Sequence, residues 1–199
     1  MTKNATDAFQ GRGNHLKRLP PEFYLGKAHV HWSMTIDHRR IGWLTPVFFY
    51  RFRELLTHTA FRFELACPIF CCMPDHMHLL WLGLSEHTNQ LSAIRFLKKH
   101  LNQDLHRIGF QLQREVYDRV LRDHECEQNA FESLVEYIAR NPERSGICAI
   151  DGYRDYAFTA CILPGYPDLR WRDPDFWNHY WRAASWLRKN GLSRAVKGD

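Results

Sequence analysis

No two of the six cysteines form a C-x-x-C pair. That excludes a structural zinc ribbon. Cys71 and Cys72 are adjacent, a poor geometry for a disulfide, so a secreted disulfide framework does not fit either. Three of the cysteines, Cys67, Cys71 and Cys72, lie in or beside an apolar stretch that reads as buried strand. Free thiols in a reducing compartment are therefore expected, and with them a cytoplasmic protein. No apolar run is long enough to span a bilayer, and residues 1–10 are too polar for a signal peptide. Neither an internal repeat nor a low-complexity tract is present, which excludes solenoid architectures. Charge of one sign does not dominate: 27 Lys and Arg against 22 Asp and Glu leave a formal +5. That balance admits a phosphate-bearing partner without requiring one.

What the chain does have is enough apolar sequence for one ordinary core, 45% of 199 residues. Residues 1–19 are polar and partly basic and read as a leader that ends at Pro20-Pro21. From Ala28 to Ile36 the residues alternate, with His29, His31, Ser33 and Thr35 on one face and Val30, Trp32, Met34 and Ile36 on the other, which is a strand. Pro46 to Phe63 has helical spacing. Leu65 to Met73 is a second, wholly apolar strand in which Pro68 marks a bulge or an edge. Pro74-Asp75 is a hairpin turn into a third strand. Leu91, Ile94, Leu97, Leu101 and Leu105 form the stripe of a helix over Ser85–His106. Glu115–Leu121 reads as a short strand, and Asp123 as the cap of a helix reaching Arg140, stopped by Asn141-Pro142. Residues from Gly146 to Arg172 read as loop, and Pro174–Leu187 as a final aromatic helix. The order β-α-β-β-α-β-α predicts an α+β fold, a ferredoxin-like sandwich around a central antiparallel sheet, with a C-terminal helical tail.

The chemistry concentrates at Met73-Pro74-Asp75-His76-Met77-His78-Leu79-Leu80. In a strand His76 and His78 share a face, as two ligands of one metal ion must. The triplet alone is weak. With 12 histidines in the chain, chance supplies about 0.7 His-x-His triplets, and a second one occurs at His29-Val30-His31. That second pair is read as non-catalytic. Weight comes from Tyr137 and Asn141, four residues apart and so one helical turn apart on the same side. A tyrosine hydroxyl there is a candidate nucleophile, and the Asn141 amide oxygen a candidate third ligand. Free tyrosine has a pKa near ~10, so attack on phosphorus needs a cation to spread the developing charge.

Four segments together carry a resemblance: Arg18-Leu19-Pro20, Met73 to Leu80, Asp118-Arg119-Val120-Leu121-Arg122-Asp123, and Tyr137 to Ile147. In this order and spacing they resemble the REP-associated tyrosine transposases, within the HUH single-tyrosine transposases and nucleases. The resemblance runs from about Leu19 to Asp155, which sets apart a leader (1–19), a transposase domain (20–155) and an aromatic-rich extension (156–199). It implies that His76, His78 and Asn141 hold Mg²⁺ or Mn²⁺. It implies that Tyr137 cleaves single-stranded DNA beside a hairpin, keeps the 5′-phosphate and leaves a free 3′-OH. A homodimer that exchanges the tyrosine helix stays open beside a monomer. Ala139, Glu143 and Ser145 depart from the usual His, Val and Ala. Arg39, Arg40, Lys98, Lys99, Arg119 and Arg122 are candidate phosphate contacts. The alternative function is a non-cleaving protein of the same fold that holds single-stranded or hairpin nucleic acid.

Overall fold

The computed structural model describes residues 18–192. Positions 1–17, nearly all of the expected leader, and 193–199 lie outside the described residues. The alternation of the first strand is borne out: β1 (His29–Thr35) buries Val30, Trp32 and Met34 and leaves the positions between them partly open. α1 (Pro46–Arg62) is opened by Thr45, whose hydroxyl accepts from the Phe48 N–H at 3.1 Å, and by Pro46, whose missing N–H costs nothing in the first turn. β2 (Leu65–Cys72) is buried throughout, and β3 (His76–Gly83) is buried except at His76 and His78. The ladder slips between Ala66 and Ile69 on one side of β2 and between Cys67 and Phe70 on the other, around Pro68, which has no N–H to donate. Pro68 thus marks a bulge in an interior strand, and the edge alternative is excluded.

Three expected boundaries move. α2 (Gln90–His106) begins five residues later than Ser85, because Asn89 caps it: its side chain accepts from the Ser92 N–H at 2.9 Å. Ser85 and Thr88 instead tie the preceding turn to Glu64. β4 (Tyr117–Val120) is shorter than predicted. Asp123 heads a separate 3-10 turn, closed where the Glu125 carboxylate accepts from the Arg122 N–H, so α3 (Gln128–Ala139) starts after it. A short α4 (Asn141–Arg144) follows. The stretch expected to be loop contains a fifth strand, β5 (Thr159–Ile162), and α5 (Phe176–Asn190) ends the described chain.

The strands lie in the order β4-β1-β3-β2-β5, all neighbours antiparallel. The first four give the 4-1-3-2 order of a ferredoxin-like sheet, and β5 extends it along β2. α1 and α2 cover one face, over Trp32, Met77, Trp81 and Phe70. α3 and α5 cover the other, over Ile69, Leu80 and Leu82. Each large side chain moved out of water contributes about 1.5–3 kcal/mol, so it is these two cores that hold the helices in place. The segment after residue 155 completes both the sheet and the second core. Its aromatic helix is a packing element: Trp177 and Trp181 lie 6.3 and 5.4 Å from the Phe131 ring.

Candidate functional site

The site is a gap in the cover of the second face. His76 and His78 are the two partly open positions of β3, at the end where the strand leaves the Pro74-Asp75 turn. Both ends of that turn are pinned: the Trp43 ring N–H donates to the Pro74 carbonyl at 2.7 Å, and the Ile36 N–H to the Asp75 carbonyl at 2.8 Å. The two rings stand perpendicular, and their Nε2 atoms are 3.1 Å apart. Neighbouring ligands ~2.0–2.1 Å from one divalent ion are separated by about 3.0–3.4 Å, depending on the angle between them. The imidazole pair therefore fits such an ion. Among the described residues no group of three or more His, Cys, Asp or Glu side chains is gathered to hold one. Completing a shell needs a neutral oxygen donor, a DNA phosphate or water.

Each ring has a partner behind it. His76 Nδ1 lies 2.6 Å from Asp75 Oδ1, and Arg39 donates to Asp75 Oδ2 at 2.8 Å. Burial alone would raise the Asp75 carboxyl, but the hydrogen bonds from His76 and Arg39 outweigh it and hold it below its ordinary value. His78 Nδ1 lies 3.1 Å from His31 Nε2. His31 sits opposite Leu80 in the β1–β3 ladder and reaches His78 diagonally, past the direct partner Ser33. Burial, with neighbouring imidazoles, lowers His78 to about 3; burial, with Arg119, lowers His31 to about 4. Burial likewise takes His29 to about 3. By spacing alone the His29–His31 pair reads as non-catalytic. The signal that finds His31 is its shared face and the strand register, not the triplet.

α3 lies on this histidine-bearing face. Its first turn is fixed at the far end of the sheet, where Phe131 meets the His29 ring edge-on at 5.3 Å. Beyond its C-terminus, Cys148 is near enough to Cys71 to add to the rise of that thiol, which burial chiefly, against a hydrogen bond from Thr159, pushes up to about 12. Cys71 is the cross-strand partner of His78. The helix thus runs from the His29 end towards the end that carries His76 and His78. Tyr137 is in its last turn, 45% exposed, with the Arg144 guanidinium 4.2 Å over its ring. Asn141 does not continue the helix. Pro142 cannot donate to the Ile138 carbonyl, and the Asn141 side-chain amide does so instead, at 2.8 Å. No hydrogen bond joins Tyr137 or Asn141 to either histidine among the described residues. Glu143, a departure from the family pattern, accepts from Arg140 at 3.1 Å and from the Asp151 N–H at 3.0 Å, so it braces this segment.

The six candidate phosphate contacts separate into groups. Arg39 holds Asp75, Arg40 donates to the Gly109 carbonyl at 2.9 Å, and Lys98 donates to the Arg114 carbonyl. Lys99 is exposed on α2, on the other side of the sheet. Arg119, paired with Glu125, and Arg122 line an open groove along β4 that reaches Ser33 and Thr35. These two are the ladder partners of His78 and His76.

A solved structure of a REP-associated tyrosine transposase bound to a REP hairpin is similar to this chain, with a TM-score of 0.58 and 18% identity over 68% of this chain and 78% of that one. The fold is shared. At that identity the likeness is one of fold and does not fix residue roles. No family model matches the sequence, and no curated protein matches it. No described helix is long and apolar enough to cross a membrane.

Proposed function

We propose that this chain is a REP-associated, HUH-type single-tyrosine transposase: a metal-dependent nuclease and strand transferase acting on single-stranded DNA beside a hairpin. The observation that carries the reading is the pair of imidazole Nε2 atoms 3.1 Å apart on the sheet face that α3, the helix of Tyr137, overlies. His76 and His78 would hold Mg²⁺ or Mn²⁺, with the free Asn141 carbonyl oxygen as a further donor. The ion would neutralise charge on the scissile phosphate. Tyr137 Oη attacks phosphorus and gives its proton to solvent. The bond to the 3′ oxygen breaks, that oxygen takes a proton, and a 5′-phosphotyrosine remains. Arg144, already over the Tyr137 ring, is available to pair with that phosphate. Arg119 and Arg122 would guide the strand along the β4 groove towards the histidines.

A second reading has an observation in its favour. Among the described residues Tyr137 and Asn141 make no hydrogen bond to His76 or His78, an arrangement that suits a protein that holds hairpin DNA without cutting it. Labelled hairpin DNA incubated with the protein and Mg²⁺ or Mn²⁺ separates the two. Wild type should give a denaturant-resistant protein–DNA adduct that Tyr137→Phe abolishes while still binding the hairpin. Equal absence of cleavage in both would remove the nuclease reading, and cleavage surviving in Tyr137→Phe would make water the nucleophile.

A further inference from the structure

We propose that His31 is a positioning residue of this site: it partners His78 Nδ1 in both tautomers of that ring, donating when His78 Nε2 carries the proton and accepting when His78 Nε2 offers a lone pair to a cation. This rests on reading His76 and His78 as metal ligands, but half of it concerns the metal-free protein and is testable there.

The hydrogen-bond chain allows little freedom. Asp75 is a carboxylate that accepts from Arg39, so the His76 nitrogen 2.6 Å from it, Nδ1, is the protonated one. With one proton on the ring, His76 Nε2 is a lone pair, and it faces His78 Nε2 at 3.1 Å. Two lone pairs do not face each other at that distance without a proton or a cation between them. In the metal-free protein, with one proton per ring, His78 must carry its proton on Nε2. Its Nδ1 is then an acceptor, and His31 Nε2, 3.1 Å away, must be the donor. The chain runs His31 to His78 to His76 to Asp75, each link satisfied.

Were His76 and His78 to hold a cation through their Nε2 lone pairs, the outer part of this chain would reverse. His78 must now carry its proton on Nδ1, aimed at His31, and His31 Nε2 must accept it. The His31 Nε2 proton crosses to His78 Nδ1, the His78 Nε2 proton leaves to solvent, and His31 Nδ1 takes one from solvent. No ring changes charge and no net proton is released. The residue at position 31 must therefore donate in one state and accept in the other from nearly the same place. Imidazole does this by tautomer exchange, glutamine by turning its amide over, and an apolar side chain not at all. The β1 ladder holds the ring there, and its diagonal position keeps it behind His78 and off the open side of the site.

The test uses the full chain. Nitrogen-15 spectra of the histidine rings in metal-free protein should show His76 protonated on Nδ1 and both His31 and His78 on Nε2. Saturating Mg²⁺ should move both of the latter to Nδ1. In Mn²⁺ titrations followed by electron paramagnetic resonance, His31→Phe should weaken binding by about 10- to 100-fold, the usual cost of losing a partner behind a ligating histidine. His31→Gln should restore most of it. His31 protonated on Nδ1 in the metal-free wild type overturns the proposal, and that measurement needs no variant to fold. Tight Mn²⁺ binding by wild type that His31→Phe leaves unchanged overturns the role of His31 alone. A wild type that binds no Mn²⁺ overturns the metal reading and this role with it.

Discussion

His29 gives the protein an acid-sensitive stability whose size can be worked out. It opens β1 on the face covered by α3, with its ring edge-on to the buried Phe131, and burial first, Arg188 second, lower its pKa from 6.5 to about 3. Between those two values the unfolded chain binds a proton there that the folded chain does not. Stability therefore rises with pH across this window, is complete above about 7.5, and is lost as the pH falls below 6.5. The loss from this one ring is RT ln(1 + 10^(6.5 − pH)), or about 0.8 kcal/mol at pH 6 and about 2 kcal/mol at pH 5. At pH 5 the figure is set by the unfolded value, because the folded ring is still neutral. His29→Leu keeps an apolar body against Phe131 and removes the titration. Urea unfolding of both proteins at pH 8, 6 and 5 is the assay. The other buried rings titrate in both proteins, so the difference between wild type and variant isolates His29. It should shift by about 2 kcal/mol in favour of the variant between pH 8 and pH 5. Parallel pH profiles would refute the claim that this ring is buried neutral.

Two further outcomes follow from named contacts. Asp75→Asn keeps the shape of the turn but replaces one of the two acceptors shared by His76 and Arg39 with an amide N–H. Mn²⁺ affinity measured by calorimetry should fall about 10- to 100-fold with the far-ultraviolet circular dichroism unchanged, and unchanged affinity would mean that Asp75 only shapes the turn. Gly83→Ala would place a Cβ 1.8 Å from the Gly26 carbonyl oxygen, where β3 passes the loop before β1. Backbone meets backbone there, so relief requires moving a strand. A loss of ~3 kcal/mol or more in chemical denaturation is expected, and a change under 1 kcal/mol would show that the two segments separate easily.

Legibility in the sequence followed the range of the forces involved. Alternation in β1, the helical stripe of α2 and the wholly apolar β2 are local patterns, and each element forms where its pattern lies. β5 is only four residues, Thr159–Ile162, next to Pro164 and Gly165. Nothing local marks it, and it exists because β2 offers it a ladder. The early end of α3 was legible in Asn141-Pro142. The capture of the Ile138 carbonyl by the Asn141 amide was not, and it matters, because it leaves only the amide oxygen free for a ligand.

His31 shows the same limit at the centre of the site. Burial of Val30, Trp32 and Met34 on one face puts His29, His31, Ser33 and Thr35 on the other, so the face shared with His78 could be read directly. Which of those four stands behind His78 could not. A one-residue slip of β1 against β3 would bury the histidines and expose the tryptophan, and the apolar pattern forbids it. A two-residue slip keeps every face and merely exchanges neighbours, so pattern does not forbid it. What fixes the register is the pairing of Thr35 with His76 beside the pinned Pro74-Asp75 turn, together with the Gln90 side chain, which accepts from the Trp32 ring N–H at 3.2 Å and donates to the Ala28 carbonyl at 2.7 Å. Those bonds join residues 58 and 62 positions apart. A slip of two would break both and leave polar atoms buried without partners, at about 1–3 kcal/mol each. The imidazole behind His78 is thus placed by buried hydrogen bonds made on the opposite face of the sheet.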